Sequence, residues 1–145
     1  MTSDEYINQR VDIQILWYDN KSATNKKWFI FLKIAEILLA LSIPFLGNFL
    51  TTENAELKYL ISFVGVCIAA IAGLLALLKL QENWIEYRTT AETLKHEKYL
   101  YLTNSGTYIE ENNFERFVER FENLISKENS NWAQYIKHKK EKQNG

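Results

Sequence analysis

The most strongly segregated feature of the chain is an apolar run from Tyr59 to Leu78, bounded by Lys58 and Lys79. It holds no charged side chain, and after Tyr59 its most polar groups are Ser62 and Cys67. About twenty such residues are what a helix needs to cross a hydrocarbon core, where only helices and closed barrels satisfy their own backbone. A second apolar segment, Trp28 to Leu50, would extend about 34 Å as a helix, against a core of about 30 Å. Lys33, Glu36 and Pro44 interrupt it. Pro44 removes one backbone donor and crowds the carbonyl of Ala40, so a kink is expected. The soluble alternative, a hairpin wholly buried in a larger helical assembly, leaves few residues to cover two such segments.

The flanks follow a different pattern. Residues 4 to 22 carry Ile7, Val11, Ile15 and Tyr18 at helical spacing, widened by Tyr6, Ile13 and Trp17, with Thr2, Ser3 and Asp4 available as N-caps. The polar stretch Asn20 to Asn25 reads as a break or a poorly formed turn. After Lys79 the helical pattern persists to Thr103. Leu80, Trp84, Tyr87, Ala91, Leu94 and Lys98 form one seam, so the second span is expected to run on as a single long helix. Asn104, Ser105 and Gly106 supply turn chemistry. A last amphipathic helix is expected over 110–136. Asn112 and Glu115 sit at capping spacing, and Phe114, Phe117, Val118, Phe121, Leu124, Ile125 and Trp132 lie along one face. The tail, 137–145, is polar and expected to be disordered.

These elements predict an all-α integral membrane protein with one domain over 1–145. A cytoplasmic N-terminal helix (1–27) leads into transmembrane helix 1 (28–50). Transmembrane helix 2 (59–78) continues as a cytoplasmic helix to about 103, and the two ends form a cytoplasmic helical bundle. The link from Gly47 to Leu57 contains Glu53 and Glu56 but no lysine or arginine. Lys21, Lys26 and Lys27 precede the first span, and Lys79, Arg88, Lys95 and Lys98 follow the second. Positive residues near span ends stay inside, so a multi-pass protein of the cell membrane with both termini cytoplasmic is expected. The polar start, Met1 to Lys27, does not resemble a cleavable signal peptide, so the first apolar segment is expected to remain as an anchor.

Composition changes this picture little. The 145 residues have a formal charge of -1, which gives no reason to expect nucleic acid, and a mean hydropathy of -0.26 that conceals the segregation. One proline and five glycines leave strand and hairpin signals sparse. The single cysteine, Cys67, excludes an internal disulfide and has no metal-site spacing. His96 and His138 are isolated, and no phosphate loop, dinucleotide fingerprint, nucleophile elbow or zinc pattern is present. No enzymatic activity and no cofactor are expected.

Three groups of residues are candidates for function. Gly65, Ala69 and Gly73 recur every four residues, a face on which membrane helices approach closely, either between chains or against the first span of the same chain. Lys33 and Glu36 are charges inside an apolar segment. One reading makes them a pore-facing or proton-sensitive pair; the other has Lys33 snorkelling to the surface with Glu36 paired to it. Trp28, Tyr59 and Trp84 suit headgroup depth, although Trp84 lies beyond the apolar run and fits the seam as well. The tail lysines Lys137, Lys139, Lys140 and Lys142 offer a surface for anionic lipid or plain solvation.

The stretch Glu82-Asn83-Trp84-Ile85-Glu86-Tyr87-Arg88, followed by Ala91-Glu92-Thr93-Leu94-Lys95-His96-Glu97, resembles an E-x-W-x-x-Y-R…A-E-x-L-K-x-E pattern of bacterial two-span membrane domains. These are the SLATT proteins, associated with SMODS nucleotidyltransferases and SLOG sensors, and their relatives of unknown function. Tyr99 to Tyr101, Gly106-Thr107-Tyr108 and Trp132 agree with it, and Arg10, Trp17 and Pro44 more loosely. The resemblance covers almost the whole chain and rests mainly on residues 82–101. It implies an oligomeric, pore-forming or membrane-permeabilising effector of a bacterial defence system, triggered by a cytoplasmic sensor or nucleotide-signalling partner. Trp84, Tyr87, Arg88, Glu92, Lys95 and Glu97 are family-typical positions with an expected structural role. The rival expectation is a membrane-anchored interaction module whose cytoplasmic helices recruit partners.

Overall fold

A computed structural model describes residues 1–50, 55–109 and 112–127. The expected features at Glu53, Trp132, His138 and the 137–145 tail lie outside the described residues, as does the end of the last helix at 136. The described chain is all helical, without strands. It comprises α1 (Ser3–Tyr6), a π-helical turn (Ile7–Val11), α2 (Asp12–Gly47), α3 (Ala55–Leu78), α4 (Leu80–Leu102), a 3-10 turn (Gly106–Tyr108) and α5 over 113–127. Two compact units result. One combines Met1–Asn20 with the described residues from Glu86 onward; the other is Lys21–Ile85.

In the first unit, helix starts and stops follow local chemistry. Thr2 and Glu5 form a reciprocal capping box, each side chain accepting from the other's backbone N–H at 3.3 Å. The π turn widens the helix by about one residue per turn, and Tyr6, Ile7 and Val11 are all buried around it. Helix α4 stops in a Schellman motif. Asn104 takes φ 48°, its N–H reaches the Tyr101 carbonyl, and the Ser105 N–H reaches that of Leu100. After extended Ser105, Gly106 (φ 63°) takes a second left-handed conformation that a side chain would resist. Asn112, expected as an extended N-cap, instead has φ 70°, a region asparagine tolerates, and its carbonyl accepts from the Arg116 N–H.

The core of this unit joins both ends of the chain. Tyr6, Ile7, Val11, Ile15 and Tyr18 pack with Ala91 and Leu94 of α4, Tyr108 of the 3-10 turn, and Phe117, Phe121 and Ile125 of α5. Phe117 stacks on Tyr101 at 4.5 Å and meets Tyr108 edge-on at 6.0 Å. Ile13, expected to widen the buried face, points outward, and Trp17 is only half-buried. The buried positions Val11, Ile15 and Tyr18 take the next turns of the helix, leaving Ile13 on its opposite side.

In the second unit, the polar stretch Asn20–Asn25 does not break the helix. Asp12–Gly47 is continuous. Side chains there return hydrogen bonds to helical backbone: Asn25 donates to the Lys21 carbonyl, and Ser22 to that of Trp84. Helical geometry also runs through Pro44 to Gly47. The expected single helix after Tyr59 is, by contrast, interrupted at one residue. Lys79 has φ 48°, separating α3 from α4. A left-handed residue with a side chain costs about 1–2 kcal/mol, and the interruption is held by Asn83, whose amide donates to the freed Leu78 carbonyl.

Candidate functional site

The polar groups of the first unit form separate clamps between its helices. Glu97 is 6% exposed, although it sits on the inward seam of α4. Arg120 grips both its oxygens, at 2.6 and 3.2 Å, and the Tyr108 phenol donates to it. Burial pushes the Glu97 carboxyl up, but the hydrogen bonds from Arg120 and Tyr108 outweigh it and hold the group below the ordinary carboxylate value. Burial and the same carboxylate push the Tyr108 phenol up to about 12. Two residues further along α5, Arg10 binds Glu122 in a fork, both bonds 2.9 Å, with the Tyr6 hydroxyl donating at 2.8 Å. The hydrogen bond from Arg10 keeps Glu122 low against the effect of burial.

A third clamp uses the family-typical residues of α4. Lys95 meets Asp19 at 2.7 Å, Arg88 meets Glu92 at 2.7 Å and Asp19 at 3.5 Å, and Glu92 also meets Lys95 at 3.4 Å. Lys98 pairs with Asp12. Tyr87 packs against Trp17 and Tyr18. Such exposed pairs contribute about 0–1 kcal/mol each. Their geometry nevertheless ties α4 to α2 and fixes the register between them.

In the second unit, the apolar windows of both long helices are almost wholly unburied, although each is long and apolar enough to cross a membrane. Lys33 and Glu36 pair with each other at 2.8 Å, one helical turn apart. Phe29 and Lys33 of α2 line a cleft of about 280 Å³ together with Leu75, Ala76, Lys79, Gln81 and Glu82. Lys33 therefore faces the same cleft as Lys79, the residue that closes the uncharged run of α3. Lys79 also pairs with Glu82, at 3.0 Å. Near the same end, the Lys26 ammonium lies 5.3 Å from the centre of the Trp84 ring. Trp84 thus belongs to the packed seam, whereas Trp28 and Tyr59 are exposed.

Among the described residues, the small-residue face of α3 has open space at both of its glycines. A Cβ added at Gly65 or Gly73 would find no atom within 4 Å, and Ala69 is exposed. Val64 is the residue of this helix stretch that is buried. The candidate residues consequently divide into two groups. Lys33 and Glu36 join Lys79 and Glu82 at one end of the apolar pair, while Tyr87, Arg88, Glu92, Lys95 and Glu97 enter the clamps of the first unit. Arg120, Glu122 and Asp19 were not singled out by sequence pattern. Each is a charge on an otherwise solvated-looking face, and its partner lies far along the chain.

Residues 13–116 match the family described as Protein of unknown function (DUF4231). The chain belongs to the DUF4231 family. No curated protein and no solved structure gave a match. The DUF4231 segment takes in both apolar helices and the whole E-x-W-x-x-Y-R region. It stops short of Tyr6 and Arg10 at one end and of Phe117, Arg120 and Glu122 at the other. Two of the clamps therefore depend on partners outside the matched segment, while the Asp19–Lys95 clamp lies wholly inside it.

Proposed function

We propose that this DUF4231 protein crosses a cell membrane twice, associates with further copies through α3, and permeabilises the bilayer on assembly. The observation that carries the reading is the open Gly65–Ala69–Gly73 face on an apolar helix whose outward surface no described residue covers. Apolar surface on this scale marks a lipid or protein contact, and small residues are what allow two helix backbones to approach within lipid. The shared core of the first unit, to which both ends of the chain contribute, supports placing those ends on one side of the membrane. The lysine distribution supports the cytoplasmic side. The resemblance of residues 82–97 to SLATT proteins supports the permeabilising step and a role in bacterial defence, with a sensor or nucleotide-signalling partner as trigger.

The test compares the oligomeric mass of wild type and a Gly65→Leu, Gly73→Leu variant in nanodiscs, alongside dye release from liposomes. Both positions face open space within the chain, so the substitutions leave its own packing intact and report on contacts between copies. A discrete oligomer and dye release, both lost in the variant, are the expected result. Monomers that release no dye would sink the proposal.

A second reading, a membrane-anchored module that recruits a partner, is favoured by a different observation. Ile13, Leu16 and Trp17 are 60%, 59% and 45% exposed on the first unit, outside the apolar spans. Partner capture that survives replacement of both spans by an unrelated hairpin would support it.

A further inference from the structure

We propose that the cleft lined by Lys33 and Lys79 is a binding site for the headgroup of a membrane phospholipid. This inference rests on the membrane reading and adds a ligand to it. The cleft of about 280 Å³ lies between α2 and α3, where the charge-free run of α3 ends. Each helix contributes one lysine to its lining, and Phe29, Leu75 and Ala76 supply an apolar wall. That combination, cations beside hydrocarbon at the mouth of a helix pair, complements a phosphodiester joined to acyl chains. Both lysines have carboxylate partners, Glu36 and Glu82, yet an ammonium carries three donors, so a phosphate oxygen can join a carboxylate on the same nitrogen.

The backbone points the same way. Lys79 leaves helical geometry at φ 48°, and the Asn83 amide caps the Leu78 carbonyl that the break exposes. Strained side-chain-bearing residues concentrate at ligand sites, where the surrounding structure holds them. Glu82, also in the lining, adds selectivity. It accepts from a headgroup that carries a donor beyond its phosphate, such as a glycerol hydroxyl or a primary ammonium, and has nothing to accept from a trimethylammonium.

The experiment uses the full chain. Flotation with phosphatidylglycerol vesicles comes first, for wild type and for a Lys33→Gln, Lys79→Gln variant. Failure of the wild type to float would overturn the membrane reading and this site with it. Phospholipid retained per chain is then counted by native mass spectrometry after delipidation and titration of lipid back. The variant is expected to float but to bind phosphatidylglycerol about thirtyfold more weakly, the effect of two basic groups at a membrane surface. A Lys58→Gln control, at the opposite end of α3, is expected to match wild type. Phosphatidylcholine, whose trimethylammonium cancels the phosphate charge, is expected to bind more weakly than phosphatidylglycerol in wild type. Equal retention by wild type and the double variant would overturn the site. Displacement of lipid by inorganic phosphate would overturn the lipid as its source and make free phosphate the ligand.

Discussion

Replacing Phe117 by alanine is expected to destabilise the first unit by about 3–5 kcal/mol, the range for deleting a buried aromatic ring. Phe117 is fully buried and contacts four other aromatic rings. Tyr101 stacks on it, and Tyr6, Tyr108 and Phe121 surround its edges. These neighbours come from separate stretches of chain, so no single shift can close the cavity, and the loss should lie toward the upper part of that range. Urea unfolding followed by the fluorescence of Trp17, which lies in the same unit, reads this in a background where the other three tryptophans are phenylalanine. The midpoint should fall while the slope stays constant. A change below about 1 kcal/mol would mean that the ring is not packed among these partners.

The second large effect concerns charge. Arg120→Met is expected to cost about 2–3 kcal/mol at neutral pH, below the range for fully buried pairs because about half of the Arg120 side chain is exposed. What decides the cost is the Glu97 carboxylate left behind, 6% exposed and without its cation. The size of the loss should depend on pH. In wild type the Glu97 carboxyl lies below its ordinary value of 4.5. The clamp therefore contributes fully above that value and loses its contribution as pH falls through the lowered folded value. Without Arg120, burial still raises the carboxyl while the Tyr108 hydrogen bond and His96 still lower it, so its folded value lies above that of wild type. The deficit of the variant against wild type is then largest near neutrality and smallest in acid. Adding Glu97→Gln to Arg120→Met should restore much of the loss at neutral pH, since it removes the buried charge. Unfolding midpoints across an acid-to-neutral series separate these outcomes. A deficit independent of pH would assign the effect to lost packing of the Arg120 stem.

Both expectations concern the unit in which the N-terminal helix packs with α4 and α5. The proposed α3 face and the Lys33–Lys79 cleft lie in the other unit. Variants there should change assembly or lipid retention while leaving the Phe117 and Arg120 unfolding behaviour as it is in wild type.

Local pattern was enough to read the helices themselves. Twenty or so apolar residues ending at Lys79 specify a helix because backbone hydrogen bonding is local, and Ile7, Val11, Ile15 and Tyr18 specify a buried face because helical period is local too. The same holds for the stop at Asn104–Gly106, where turn residues act within a few positions. Other features depended on neighbours distant in sequence. Asn20–Asn25 looks like a break until the Ser22 hydroxyl reaches the Trp84 carbonyl, and Glu97 looks solvated until Arg120 and Tyr108 close on it. Lys33 is an anomalous charge in an apolar segment until Lys79 is found on the same cleft. Spacing along one helix determines which side chains share a face, whereas the level of one helix against another, and hence which charges meet, is set only when the two pack.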